Sequence, residues 1–96
     1  MVYICVVDNN FTNSCRIIIS KKILYNSHLI LSVTEHMSTV ILDIIIKYLN
    51  DNNYNKIGDY NNTFYYDCIN IIVPYLTSLN IKFTIIDPNK KYCCWC

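Results

Sequence analysis

Hydrophobic and polar positions along the chain fall into blocks whose period changes. Val2-Tyr3-Ile4-Cys5-Val6-Val7 is an unbroken β-branched and aromatic run that passes straight into Asp8-Asn9-Asn10, short polar residues that tolerate a turn. After Thr12, Asn13 and Ser14 comes Cys15-Arg16-Ile17-Ile18-Ile19, a second run of the same kind. Residues 2 to 19 therefore predict an antiparallel hairpin. Ile23, Leu24, Ser27, Ile30, Leu31 and Thr34 then recur at steps of three and four. That spacing predicts two short helices, over about 20–26 and 27–35, with Ser20 capping the first and Asn26 or Ser27 starting the second.

The clearest amphipathic segment follows. Ser38 or Thr39 is suited to cap a helix whose apolar face is Val40, Ile41, Ile44, Ile45 and Tyr48, with Asp43, Lys47 and Asn50 on the other side. Asp43 and Lys47 stand four apart in acid-before-base order, worth about 0.2–0.5 kcal/mol to a helix. Residues 51 to 63 hold the single glycine, Gly58, and many asparagines, the composition of a surface loop. Beyond it Asp67 is placed to cap a helix carrying Ile69, Ile72, Val73, Leu76 and Leu79. Pro74 either kinks that helix or opens a new one at its first turn. Phe83 to Ile86 reads as a last strand or turn, before the tail Lys90-Lys91-Tyr92-Cys93-Cys94-Trp95-Cys96.

Composition narrows the function classes. Ninety-six residues, 53% of them apolar, suffice for one core, and a charged fraction of 16% excludes a disordered polyelectrolyte. A net charge of +1 gives no field to collect phosphates, so no nucleic-acid partner is expected. The apolar run at Ile41 to Ile46 is broken by Asp43, and no run is long enough for a membrane span. Val2 to Val7 lacks a basic leader and a cleavage site, so it reads as a strand, and the expected location is the cytoplasm, where thiols stay reduced. The wealth of Ile, Asn, Tyr and Lys is the bias of an AT-rich genome such as that of a large cytoplasmic DNA virus.

Candidate chemistry is sparse. There is no carboxylate pair, Gly-rich phosphate loop, zincin motif or nucleophile elbow, and His28 and His36 read as surface residues. No catalytic residue, cofactor or metal is expected. Cys5 and Cys68 lie in apolar stretches and read as small core residues. Cys93, Cys94 and Cys96 are too closely spaced for an ordinary zinc tetrahedron, and Trp95 and Cys96 do not fit a prenylation box.

Three blocks in order carry a resemblance to a family. Residues 17 to 33, with Ile19, Ile23, Ser27 and Ile30 as the matching positions, resemble a strand running into two helices. Thr39-Val40-Ile41-Leu42-Asp43-Ile44-Ile45-Ile46-Lys47-Tyr48 is similar to a helix with an aliphatic pair before a Lys and an aromatic. Ser78-Leu79-Asn80-Ile81-Lys82 is similar to a late aromatic-Leu-Asp-Ile-Lys segment. Together they resemble the BTB/POZ domain, closest to the cullin adaptors elongin C and the S-phase-kinase-associated adaptor.

The resemblance implies an α+β, BTB/POZ-like domain over 1–87, built of an N-terminal hairpin and a cluster of helices with the third strand shortened or missing. Residues 88–96 would form a Cys-rich tail. It implies a non-enzymatic adaptor that binds a cullin, elongin B or a substrate-receptor subunit and so mimics or diverts a host ubiquitin ligase. The cullin-type face would be Lys47, Tyr48, Asn50, Asp51 and Tyr54, and the partner-helix groove Val73, Leu76 and Leu79. Two alternatives stay open: a homodimeric α+β interaction protein unrelated to cullins, and a small thiol- or zinc-dependent protein using the terminal cysteines.

Overall fold

The first two apolar runs pair as expected. In the computed structural model, which describes residues 1–9, 13–56 and 62–87, β1 (Val2–Asn9) and β2 (Ser14–Ser20) form an antiparallel hairpin with Tyr3 opposite Ser20 and Asn9 opposite Ser14. The next segment departs from the expectation. Residues 27–35 do not form a helix; Ser27–Val33 is strand β3, antiparallel to β1 on the side away from β2. Its two faces are both buried, Leu29, Leu31 and Val33 on one side and Ile30 on the other. A strand covered on both faces loses its polar alternation, and its apolar positions then imitate helical spacing.

Residues 20–26 are likewise a connection and not a helix. The Ser20 hydroxyl accepts from the Lys22 N–H at 3.1 Å and donates to the Lys22 carbonyl at 2.7 Å, a turn closed by its own side chain.

Helix α1 (Glu35–Asp51) follows at once, with Thr34 at its N-cap position in place of the expected Ser38 or Thr39. Ser38 is buried inside it, its hydroxyl donating to the Glu35 carbonyl at 2.7 Å. After the partly described loop come β4 (Thr63–Tyr65), a short 3-10 turn (Tyr66–Cys68), helix α2 (Ile69–Ser78) and β5 (Thr84–Ile86). Asp67 lies in the 3-10 turn and caps nothing. A new helix opening at Pro74, one of the two expected readings, is not found: α2 runs through Pro74 as one helix. The expected strand over Phe83 to Ile86 is present as β5.

The result is an α+β domain with a five-stranded antiparallel sheet in the order β4-β2-β1-β3-β5. The chain crosses one face of this sheet twice, as α1 between β3 and β4 and as α2 between β4 and β5. That face holds the main core: Ile4, Val6, Ile17, Leu29 and Leu31 from the sheet meet Ile41, Ile45 and Leu49 of α1 and Ile72 and Leu76 of α2. The other face carries a small cluster of Cys5, Val7 and Ile30, covered by Ile23 and Leu24 from the connection before β3. Among the described residues, no helix is long and apolar enough to cross a membrane.

Both helices stop by the same device. Asn53 and Asn80 have positive φ, 64° and 58°. At the end of α1 the Tyr54 N–H donates to Leu49 and the Asn53 N–H to Asn50; at the end of α2 the Ile81 N–H donates to Leu76 and the Asn80 N–H to Thr77. This is the Schellman arrangement, with asparagine in the left-handed position that its short polar side chain tolerates. Leu49 with Tyr54, and Leu76 with Ile81, anchor the two stops in the core.

Candidate functional site

The two crossing helices leave an open groove between them. A spacing of four places Val40, Ile44 and Tyr48 in one row on α1, and Ile71, Tyr75 and Leu79 in one row running from α2 into its C-terminal cap. Tyr48 and Tyr75 join the rows: their rings stack with centroids 3.6 Å apart and planes inclined by 15°. Around this stack Asn70, Ile71, Pro74 and Ser78 complete the lining of a groove of about 320 Å³. Val40 and Leu79 are 48% and 44% exposed, large apolar side chains that continue the two rows into solvent.

Pro74 shapes the groove chemically as well. Proline has no N–H, so the Asn70 carbonyl one turn back lacks its usual helical donor, and Asn70 is itself a groove residue. Asn70 and Ser78 give the groove polar side chains beside Ile71, Pro74 and the two tyrosine rings.

The expected cullin-type residues cluster at the end of α1 and differ in exposure and in what they touch. Lys47 is exposed and pairs with Asp51, Nζ to Oδ2 3.0 Å, in place of the anticipated Asp43–Lys47 pair. Tyr48 is half-buried in the stack. Asn50 contributes its carbonyl to the α1 stop. Tyr54, expected as an aromatic on a polar loop, packs on the core; its N–H donates to Leu49 and its carbonyl accepts from Tyr65. It fastens the loop to β4.

The expected partner-helix residues divide similarly. Leu76 is fully buried in the core, where no partner reaches it. Val73 packs half-buried against the same core, and helical geometry puts it on the flank of α2 away from Tyr75. Leu79 alone lies in the exposed row. The groove residues Asn70, Ile71, Pro74, Tyr75 and Ser78 lie outside the expected site residues, although the four-residue spacing of Ile71, Tyr75 and Leu79 is a readable signal.

The Lys47–Asp51 pair has its base N-terminal to its acid, the weaker order on a helix, and both side chains are largely exposed. Lys47→Ala is expected to change stability by no more than about 0.5 kcal/mol in urea titration. Charge changes at Lys47 therefore test contacts without disturbing the fold.

Other polar chemistry is thin. His28 Nε2 lies 3.2 Å from Asp8 Oδ1, and its ring meets Tyr66 edge-on with centroids 5.3 Å apart. Among the described residues no group of three or more His, Cys, Asp or Glu is placed to hold a metal ion. The tail cysteines Cys93, Cys94 and Cys96 lie outside the described residues. Comparison with known proteins found no matching family model, no matching curated protein and no matching solved structure, so the groove is interpreted from its own geometry.

Proposed function

We propose that this chain is a non-enzymatic protein-interaction domain whose docking surface is the double apolar row of α1 and α2. The observation that carries the reading is the Tyr48–Tyr75 stack in an open groove, flanked by Val40 and Leu79 exposed at the ends of their rows. Aromatic side chains presented at a groove are the anchors that dominate protein interfaces. A small-molecule site would enclose most of its ligand, whereas this groove is open and suits an apolar side chain projecting from a partner's helix.

The specific form of the reading is an adaptor for a cullin or a substrate-receptor subunit, acting in a host cytoplasm or nucleus to divert a ubiquitin ligase. It is supported by the sequence blocks at 39–48 and 78–82. The block at 17–33 lends it nothing, because the two helices it implied are a turn and strand β3. Asn80 in the last block also has a local reason to be there, as the left-handed residue of a helix stop.

Capture from host-cell lysate with peptide identification tests both levels. Tagged wild-type chain is compared with Val40→Glu/Leu79→Glu, which charges the exposed ends of the rows, and with Lys47→Glu. Recovery of a cullin that Lys47→Glu abolishes supports the adaptor form. Recovery of a protein lost only in Val40→Glu/Leu79→Glu supports docking in the groove with a different partner. Identical recovery by all three proteins overturns the docking surface.

A further inference from the structure

A second feature lies at the β2–β4 edge of the sheet and plays no part in the groove. Cys15 on β2 and Cys68 at the end of the 3-10 turn are both fully buried, yet their sulfurs lie 3.4 Å apart across 53 residues of sequence. Cys15 Sγ is also 3.6 Å from the Phe64 carbonyl oxygen and 3.9 Å from that of Tyr65. The remaining described cysteine, Cys5, belongs to the cluster on the other face of the sheet.

We propose that Cys15 and Cys68 form a redox modification site, a dithiol that a hydroperoxide converts into an intrachain disulfide joining β2 to the start of α2. Two core cysteines that merely fill space have no need to meet, whereas these two are each other's nearest polar partner. A disulfide requires sulfurs at about 2.05 Å, within reach of side-chain adjustment from the observed contact.

The hydrogen bond from Cys68 holds the Cys15 thiol below its ordinary range, while that same contact and burial push Cys68 well up. Either thiol can donate across the contact, and exchanging the two roles leaves the same disulfide. With Cys15 as the attacking sulfur, it releases its proton and attacks one peroxide oxygen; the O–O bond breaks, Cys15 becomes a sulfenic acid, and the departing oxygen takes up a proton to leave as water. The Cys68 sulfur then attacks Cys15; the S–O bond breaks, and hydroxide leaves with the Cys68 proton as a second water. Two thiols are oxidised by two electrons and one hydrogen peroxide is reduced to two waters.

Access is through β4. It is an edge strand of three residues, and short edge elements open locally at the low end of a protein's stability range. Oxidation at Cys15 and Cys68 is thus expected to be slow in the folded chain and site-selective.

The test treats the reduced, purified full chain with hydrogen peroxide, followed by fragment mapping under non-reducing conditions. The expected result is a Cys15–Cys68 linked fragment, lighter by about 2 Da than the sum of its thiol forms and reversed by dithiothreitol. Cys5→Ser should leave it unchanged, and Cys15→Ser should abolish it. Because Cys15→Ser puts a hydroxyl at a fully buried position, alkylation of the peroxide-treated wild-type chain after denaturation gives an independent readout. Cys15 and Cys68 should lose alkylation together. Full alkylation of both, a link from either to a different cysteine, or sulfinic acid at Cys15 without the link would overturn the proposal.

Discussion

Replacing Phe64 by alanine is expected to destabilise the chain by about 3–5 kcal/mol, enough to remove a large part of the roughly 5–15 kcal/mol that holds a domain of this size together. Phe64 is fully buried and lies at the middle of β4, paired with Cys15 of β2 and bridged to Asn55. Its ring packs into the main core from the sheet edge. Among the described residues β4 makes three register pairs with β2 and one bridge to Asn55, so little backbone pairing holds that edge once the ring is gone. In a thermal melt each 1 kcal/mol corresponds to about 4–8 °C for a domain of this length, so the midpoint should fall by at least about 12 °C. Phe64→Leu should fall much less, because leucine refills part of the volume. A midpoint within a few degrees of wild type for Phe64→Ala would mean that β4 does not seat its aromatic in the core.

Pro74→Ala is expected to act in the opposite direction. Pro74 occupies the sixth position of the ten-residue helix α2, where proline forfeits one backbone hydrogen bond and crowds the carbonyl of Asn70. Interior proline is about 3 kcal/mol less favourable than alanine in a helix, and part of that is regained when an N–H is restored opposite the Asn70 carbonyl. A gain of about 1–3 kcal/mol in urea titration is the predicted outcome. The variant also removes a groove wall and supplies the Asn70 carbonyl with its helical donor. A more stable protein that docks its partner less well is therefore the expected combination. Loss of stability would mean that the helix does not run unbroken through this position.

The parts of the fold legible in the sequence were those with an unambiguous period. Val2 to Val7 and Cys15 to Ile19 have short apolar runs bounded by turn residues, and they pair as a hairpin. Of the expected apolar face of α1, Ile41 and Ile45 are buried, Ile44 and Tyr48 are half-buried and Val40 is exposed, with Leu49 completing the buried stripe; Cys5 and Cys68 are buried as expected. β3 was illegible for a physical reason: it lies between β1 and β5 with both faces covered, so His28-Leu29-Ile30-Leu31-Ser32-Val33 shows no alternation to separate it from a buried helix.

The helix ends carried a signal that composition obscured. Leu49-Asn50-Asp51-Asn52-Asn53-Tyr54 and Leu76-Thr77-Ser78-Leu79-Asn80-Ile81 share a leucine four residues before an asparagine and an apolar residue directly after it. These are the positions of the core anchor, the left-handed residue and the closing contact of a Schellman stop. In a chain rich in asparagine the pattern is easily passed over. The groove was partly legible: Tyr48 lines it and Leu79 stands exposed one turn beyond Tyr75, while Leu76 is one step around the helix and belongs to the core. No local pattern distinguishes the flank of α2 that meets Tyr48 from the flank that carries Val73, because that choice is made by the crossing of the two helices.

The most direct test of the groove as the working surface is the dissociation constant of the captured partner for wild-type chain, for Val40→Glu/Leu79→Glu, and for Arg16→Glu as an exposed control on β2. Charging two exposed apolar positions at a docking surface should weaken binding at least about tenfold, a change of about 1.4 kcal/mol, while the control stays within about twofold. Equal affinities for all three folded proteins would contradict the assignment and move the search to another face of the molecule.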